Sequence, residues 1–181
     1  MVFGFFGLCY NLSMSKKKIT KFGKIWRVAL CIAAPLGGGL LISLLTRNAM
    51  GQFGMLKQPV LTPPAWLFPV AWTILYVLMG VASYLLCATT MKAKKSVHKM
   101  GMAALIIYSV QLLFNFIWTP IFFNAGLYWV AFAVLAVMWA LEIALLILAF
   151  RVNRAAFWCL IPYILWTTFA GYLNISIALL N

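Results

Sequence analysis

The feature that most constrains this chain is a series of five long apolar segments. Each segment holds the roughly 20 residues that a helix needs to cross about 30 Å of hydrocarbon. Backbone groups in hydrocarbon must be hydrogen-bonded within their own segment, so unbroken runs of this length indicate helices rather than strands. The sequence therefore predicts an all-α membrane protein, a five-transmembrane-helix bundle within residues 25–181. The predicted helices cover residues 26–46, 64–90, 101–123, 127–150 and 155–180.

Charged residues are too scarce for a soluble protein. They make up 8% of the 181 residues, whereas a soluble domain carries about 25%. The chain has 14 Lys and Arg residues against one acidic residue, and these cations lie at the ends of the apolar segments. That placement indicates a role in membrane topology and in contacts with anionic lipids of the bilayer. Nucleic-acid binding is not expected, because no folded basic face is indicated.

The distribution of these cations predicts the orientation of the chain. Six of them precede the first apolar segment, four lie in the second connection and two in the fourth. The first connection holds two, Arg47 and Lys57, and the third holds none. Because cytoplasmic loops carry the excess of Lys and Arg, we expect the N-terminus in the cytoplasm and the C-terminus outside.

Residues 1–24 are predicted to form a basic, disordered tail. Their positive charges follow a partly apolar lead, and this order is not that of a secretory signal peptide. Met14 is followed closely by Lys16, Lys17 and Lys18. We hypothesise that the natural start is Met14, and N-terminal sequencing of the native protein would test this.

Residue types that carry catalysis are scarce. The lone histidine, His98, lies in the basic second connection, and the four cysteines are scattered without a CxxC pair. The sequence contains no Ser/His/acid set within the membrane, no metal-ligand cluster and no glycine-rich phosphate loop. Acid–base, hydrolytic and metal-dependent catalysis therefore lack their residues. The sequence favours binding over catalysis, and no cofactor is expected to be required.

Glu142, the sole acidic residue, lies inside the fourth apolar segment. A carboxyl group at membrane depth is a candidate for function. Alternatively, it is protonated, or it lies shallow enough for its side chain to reach the cytoplasmic surface. Its neighbours on the same helix, Trp139, Ile143 and Leu146, offer no partner. That lack of a partner weakens the functional interpretation.

Polar, aromatic and small residues recur at helical spacing in three segments. Intervals of three and four residues place each set on one helix face. Amide side chains are costly in hydrocarbon, so these faces should point into the bundle. They either pack as helix interfaces or line a cavity, and spacing alone leaves both alternatives open. The sets are Trp72, Tyr76, Gly80 and Ser83; Ala104, Tyr108, Gln111, Asn115 and Trp118; and Tyr163, Trp166, Ala170, Leu173 and Ile177.

Longer motifs surround these residues in four of the five segments. In the first loop and second segment they are Lys57-Gln58-Pro59-Val60-Leu61-Thr62-Pro63-Pro64-Ala65-Trp66, Phe68-Pro69, Trp72-Thr73, Leu75-Tyr76 and Met79-Gly80. The others are Gly37-Gly38, then Tyr108, Gln111-Leu112, Asn115, Trp118, Pro120 and Phe122-Phe123, and then Pro162-Tyr163, Trp166, Phe169-Ala170 and Leu173-Asn174. In this order, over about residues 30–181, the chain resembles the TspO/MBR family of translocator proteins, tryptophan-rich sensory proteins and peripheral benzodiazepine receptors, and is most similar to bacterial members.

The resemblance implies a five-helix bundle, a homodimer and a ligand cavity near the first loop, in a protein of the bacterial cytoplasmic membrane. Family ligands include porphyrins, haem, sterols and benzodiazepine-type drugs, so a porphyrin or haem is the expected bound molecule. Carried over by position, the residues that would line the cavity are Ile42, Leu45, Trp72, Tyr76, Asn115, Trp118, Ala133, Val137, Trp166, Ala170 and Leu173.

The resemblance also implies roles for individual residues of that site. Trp72 and Trp166 would offer flat aromatic faces for stacking, and Asn115 would supply an amide that orients the ligand. Arg47 or Lys57 would pair with a porphyrin carboxylate at the mouth of the cavity. Alternatively, each of these two cations is a solvated loop charge.

The chain departs from the family pattern in two places. Many members carry a Trp-Tyr pair in the first loop where Gln52-Phe53 stands here, and a further loop Trp is replaced by Leu61. The loop is therefore less aromatic, which weakens the expectation of tight porphyrin capture and of light-dependent breakdown. No Lys or Arg follows Leu173, so the cholesterol-recognition pattern of animal members is missing and sterol transport is not supported.

Three functions are consistent with these observations. The first is a membrane receptor or sensor that binds porphyrins or similar flat hydrophobic ligands between its helices. The second is an enzyme that degrades bound porphyrin under light by tryptophan photochemistry. The third is a transporter of tetrapyrroles or other small hydrophobic molecules. The first is favoured, since five helices do not divide into the repeated halves that are typical of transporters.

Overall fold

The computed structural model describes residues 21–47 and 50–181 of the chain. Within these ranges the chain forms one short helix and five helices that are long and apolar enough to cross a membrane. This confirms the predicted all-α, five-helix membrane fold. The helices are α1 (Lys21–Thr46), α2 (Met50–Phe53), α3 (Leu67–Thr90), α4 (Lys95–Phe123), α5 (Tyr128–Val152) and α6 (Arg154–Leu180).

The predicted N-terminal tail is described only in its last residues. α1 begins at Lys21, so residues 21–24 belong to a helix and not to a disordered tail. Residues 1–20, and with them the hypothesis of a start at Met14, lie outside the described part of the chain.

Two further helices begin more than one residue away from the predicted start. α3 begins at Leu67 and not at residue 64, and a turn closed by a hydrogen bond of 2.9 Å from Leu67 N to Pro64 O precedes it. α4 begins at Lys95 and not at residue 101. Its first residues are polar but compatible with a helix, so the helix extends beyond the part that hydropathy marks as membrane-embedded.

The helix α3 lies at the centre of the bundle. It packs against α1, α4 and α6, and α5 packs on the far side between α4 and α6. The ends of α1, α4 and α6 and the start of α3 lie together at what we call the first-loop end. Hydrogen bonds between distant segments hold this end together. Asn124 Nδ2 donates to Leu45 O (3.2 Å), Asn181 Nδ2 donates to Lys57 O (3.1 Å), and Lys57 N donates to Asn181 Oδ1 (3.0 Å).

Two glycines allow α1 to approach α3 closely. Gly80 of α3 lies against the backbone of α1, where an added Cβ would stand 2.5 Å from the Cα of Ile32. Gly39 of α1 lies against the ring of Tyr76 on α3, and an added Cβ would overlap that ring. Small residues at these positions let the two helices pack side by side, and they leave room for an aromatic ring between them.

Candidate ligand-binding site

A cavity of about 860 Å³ lies at the first-loop end, between α1, α3, α4 and α6. Four helices and the loop residues Arg47 and Ala65 form its walls. The lining residues of α1 and its end are Ala33, Leu36, Gly37, Gly39, Leu40, Ile42, Ser43, Thr46 and Arg47. The others are Ala65, Phe68, Pro69, Trp72, Thr73, Tyr76, Trp118, Thr119, Phe123, Trp166, Phe169, Ala170 and Leu173.

Aromatic rings form much of the cavity wall, and they contact one another. Trp72 and Tyr76, one turn apart on α3, are stacked with ring centroids 5.5 Å apart and planes inclined by 29°. Phe68 meets Trp166 of α6 edge to face, with centroids 6.1 Å apart. These contacts restrain the rings before any ligand arrives, so the cavity offers preformed flat apolar surfaces.

The polar character of the cavity comes from few groups. The hydroxyls of Thr46, Thr73 and Thr119 each donate to a carbonyl four residues earlier in their own helix, over 2.7–3.3 Å. Their hydrogens are therefore engaged, and they present mainly oxygen lone pairs. Arg47 is the one charged residue among the described residues that line the cavity, whereas Lys57 does not line it.

A buried hydrogen-bond network lies directly behind the aromatic wall. The hydroxyl of Tyr76 donates to Asn115 Oδ1 on α4 over 2.8 Å. Asn115 Nδ2 donates to the hydroxyl of Tyr163 on α6 over 3.3 Å, and that hydroxyl donates to Gln111 Oε1 over 2.7 Å. Asn115 is fully buried and does not line the cavity. It holds a ring of the wall, and it reaches a ligand only through Tyr76.

The structure brings seven of the eleven predicted site residues together at the cavity. These are Ile42, Trp72, Tyr76, Trp118, Trp166, Ala170 and Leu173. Four others lie elsewhere. Asn115 lies behind the wall, and Leu45 is 69% exposed on the outer side of α1. Ala133 and Val137 are exposed on α5, which contributes no lining residue.

Several lining residues were missed by the sequence analysis. Phe68 lies four residues before Trp72, and Phe169 lies three residues after Trp166, so helical spacing from the predicted tryptophans could have found both. The sequence gives less indication that Gly39 lines the cavity, since nothing in it shows that Gly39 faces Tyr76. Phe123, the last residue of α4, lies four residues after Thr119 and so reaches the cavity on the same helix face.

Glu142 has partners that the sequence analysis did not find. It is 2% exposed, so the alternative in which its side chain reaches the membrane surface is wrong. Its Oε2 accepts a hydrogen bond of 2.6 Å from the hydroxyl of Thr167 on α6. The hydroxyl of Tyr163 lies beside the same carboxyl group. The expectation that no partner exists failed because it considered only neighbours on the same helix.

Comparison with known proteins agrees with this architecture. The chain is 35% identical over 160 residues to tryptophan-rich protein TspO of Chlorobaculum tepidum, across 87% of this chain and 98% of that protein. It is 36% identical over 129 residues to protein CrtK of Rhodobacter capsulatus, across 71% and 78% of the two chains. It is 30% identical over 138 residues to the translocator protein of Ovis aries, across 76% and 79%. Residues 31–180, which include every residue that lines the cavity, match the TspO/MBR family, and the chain therefore belongs to that family.

Proposed function

We propose that this protein is a membrane receptor or sensor that binds a flat hydrophobic ligand, a porphyrin or haem, in the cavity at the first-loop end. The observation that carries the proposal is the cavity of about 860 Å³ with the stacked pair Trp72 and Tyr76 in its wall. Ligand sites typically enclose about 300–1,000 Å³ and are lined mainly by apolar and aromatic side chains.

The positive charge of Arg47 at the opening of the cavity indicates which class of ligand the protein binds. Arg47 is the one cation on the described lining, and it is exposed at the end of α1. A guanidinium group pairs with a carboxylate through two parallel hydrogen bonds. A planar apolar molecule with a peripheral carboxylate, such as a porphyrin, complements both features: the rings contact its face and Arg47 its acidic edge.

A titration with protoporphyrin tests the proposal. The porphyrin absorbance band reports binding to the detergent-solubilised protein, and Trp72→Ala should weaken the affinity at least about tenfold, because it removes a stacked ring from the wall. Trp129→Ala is the matched control, since Trp129 is exposed on α5 outside the cavity. Absence of binding, or equal losses in the two variants, would refute the proposed site.

The alternatives give different results in the same system. Trp166 lines the cavity beside Phe68, where it would contact bound porphyrin. If the protein degrades porphyrin, its absorbance should decay only under light, and Trp166→Phe should stop the decay while binding persists. If the protein is a transporter, liposomes that contain it should accumulate porphyrin faster than empty liposomes. A receptor or sensor should show neither effect.

We also propose that the N-terminus is cytoplasmic, so that the cavity opens near the outer surface of a bacterial cytoplasmic membrane. The cations at the first-loop end are Arg47 and Lys57, whereas Lys92, Lys94, Lys95, Lys99, Arg151 and Arg154 lie at the other end. This asymmetry supports the orientation. Labelling of single engineered cysteines at positions 57 and 94 in intact cells should modify only the first. A homodimer stays a prediction, which the molar mass of the detergent-solubilised protein would test.

A further inference from the structure

A chain of polar side chains connects the sole acidic residue to the cavity wall. Glu142 lies on α5, which contributes nothing to the cavity lining. Its Oε2 accepts from Thr167, and the Tyr163 hydroxyl lies beside the same carboxyl group. Its Oε1 is buried without a hydrogen-bond partner among the described residues, as is Gln111 Nε2 on α4. The carboxyl group and this amide therefore both retain unused hydrogen-bonding capacity next to Tyr163.

From Tyr163 the chain reaches the cavity by two short routes. Through hydrogen bonds, Tyr163 accepts from Asn115, and Asn115 accepts from Tyr76 in the wall. Through packing, the ring of Tyr163 meets that of Trp72 edge to face, with centroids 6.4 Å apart. Both endpoints belong to the stacked pair that is proposed to hold the ligand. A change at Glu142 therefore has a direct physical path to the wall.

We propose that Glu142 is a positioning residue that makes ligand binding in the cavity proton-linked, with acidic ligands bound more tightly when Glu142 is neutral. The inference rests on the proposed function, because it concerns the same cavity and the same ligand class. Glu142 does not touch the ligand. It acts through Tyr163 and Asn115 on the hydroxyl of Tyr76.

The direction of the effect follows from the donors in the network. For neutral Glu142, we assign the hydroxyl hydrogen of Tyr163 to the contact of 2.7 Å with Gln111 Oε1. When Glu142 releases its proton to solvent, the hydrogen of Tyr163 turns towards the carboxylate, because hydrogen bonds to an ionised acceptor are stronger. Gln111 can then turn its free Nε2 towards the Tyr163 oxygen. No bond other than the O–H bond of Glu142 changes.

Ionisation thereby aligns every donor towards the anion. Tyr76 donates to Asn115, Asn115 to Tyr163, and Tyr163 to Glu142, and hydrogen bonds in such a row strengthen one another. Tyr76 donates to Asn115 in both states, but ionisation of Glu142 strengthens that hydrogen bond. The hydroxyl hydrogen of Tyr76 is then less available to a carboxylate-bearing ligand, so the affinity for such a ligand falls as the pH rises.

Few other groups can produce this pH dependence. Within the described part of the chain, the titratable side chain beside Glu142 is Tyr163 on α6. The other buried tyrosines on the neighbouring helices are Tyr108 on α4, one turn from Gln111, and Tyr76 on α3 at the cavity. Tyrosine ordinarily titrates near pH 10, above the range of interest. The nearest cation on the same helix is Arg151, nine residues along α5 and so about 13 Å away.

The test is a set of protoporphyrin titrations of the full-length protein between about pH 5.5 and about pH 8.5. Wild type and Glu142→Gln are compared at each pH, so that ionisation of the porphyrin itself cancels. Gln keeps an oxygen that accepts from Thr167 but cannot ionise. We expect the Kd of the wild type to rise about fivefold more than that of Glu142→Gln across this range. Tyr163→Phe keeps the carboxyl group of Glu142 but removes the hydroxyl that links it to Asn115. Its Kd should therefore rise with pH no more than that of Glu142→Gln.

Each outcome bears on the proposal. A ratio of the two Kd values that does not change with pH overturns it, even if both proteins bind porphyrin well. If the Kd of Tyr163→Phe rises with pH as much as that of the wild type, Glu142 does not act through Tyr163, and the proposal is wrong on this point. If wild type binds no porphyrin at any pH, the proposed function fails and this inference falls with it, a result distinct from pH-independent binding. If Glu142→Gln does not fold, Glu142→Asp takes its place, because Asp also ionises, although from a shorter side chain. The ratio of its Kd to the Kd of Tyr163→Phe should change with pH. A constant ratio contradicts the proposal.

Discussion

The indole nitrogen of Trp118 on α4 donates a hydrogen bond of 3.0 Å to Oδ1 of Asn174 on α6. The amide nitrogen of Asn174 donates in turn to the carbonyl oxygen of Tyr128 at the start of α5, 2.8 Å away. One buried amide therefore joins three helices, and it sets the orientation of an indole that lines the cavity.

Replacement of that amide should loosen the bundle next to the cavity. Asn174→Ala leaves the indole nitrogen of Trp118 and the carbonyl of Tyr128 without their partner, which should cost about 2 kcal/mol of stability. Thermal unfolding of the detergent-solubilised protein measures this loss. The control is Asn124→Ala, because Asn124 is exposed and donates a single bond to Leu45 O. Equal losses in the two variants would contradict the role assigned to Asn174.

Close contact between α1 and α3 should depend on Gly80. In Gly80→Ala the new Cβ meets the backbone of Ile32, which cannot move without shifting α1, so we expect a loss of about 1–3 kcal/mol. Gly37→Ala is the matched control, since a Cβ there has no atom within 4 Å. Alanine also favours a helix over glycine, so the control should be neutral or more stable in a thermal unfolding assay. A stable Gly80→Ala would show that the helices are not held at this distance.

Two adjacent threonines of α6 provide a test of how Glu142 is held. Thr167→Val removes the donor to the buried Glu142 carboxyl group, and leaving a buried acceptor unpartnered should cost about 1–3 kcal/mol. Thr168→Val removes a hydroxyl that bonds Trp139, but both residues are exposed at the surface of the bundle and can rearrange. The first variant should therefore unfold at the lower temperature. The reverse order would show that the bond to Glu142 does not stabilise the fold.

The proposed pairing of Arg47 with a ligand carboxylate predicts that binding depends on the charge of the ligand. Arg47→Gln should weaken binding of protoporphyrin about threefold, a modest effect because exposed ion pairs contribute little. Binding of the porphyrin dimethyl ester, which carries no carboxylate, should not change. Lys57→Gln serves as the control, since Lys57 does not line the cavity. Parallel titrations of the acid and the ester measure both effects, and an equal loss for the two ligands would exclude an ion pair.

Much of the fold followed from the sequence through hydropathy alone. Five apolar segments predicted five spanning helices because backbone groups in lipid must be hydrogen-bonded within the helix, and the structure contains those helices. Helical spacing predicted which faces of α3, α4 and α6 turn inward. It identified Trp72, Trp118 and Trp166, which line the cavity.

Other features depended on contacts between distant segments. Ala133 and Val137 stand at positions that line the cavity in the family, but α5 lies behind α4 and α6, so both side chains point outward. Asn115 turned inward as predicted, yet Tyr76 stands between it and the cavity. Helical periodicity shows which side of one helix faces inward, and it carries no information about which neighbour stands there.

The sequence by itself determined that the protein lies in a lipid membrane, how many helices it has and which helix faces point inward. Each of these depends on residues within about one helical turn or one membrane span. Only the tertiary structure decided whether the inward faces enclose a space or close it. That outcome depends on how Gly39 and Gly80 set the distance between α1 and α3. It also decided that Glu142 meets Thr167 on another helix, because side chains that lie far apart in the chain become neighbours only when the helices pack.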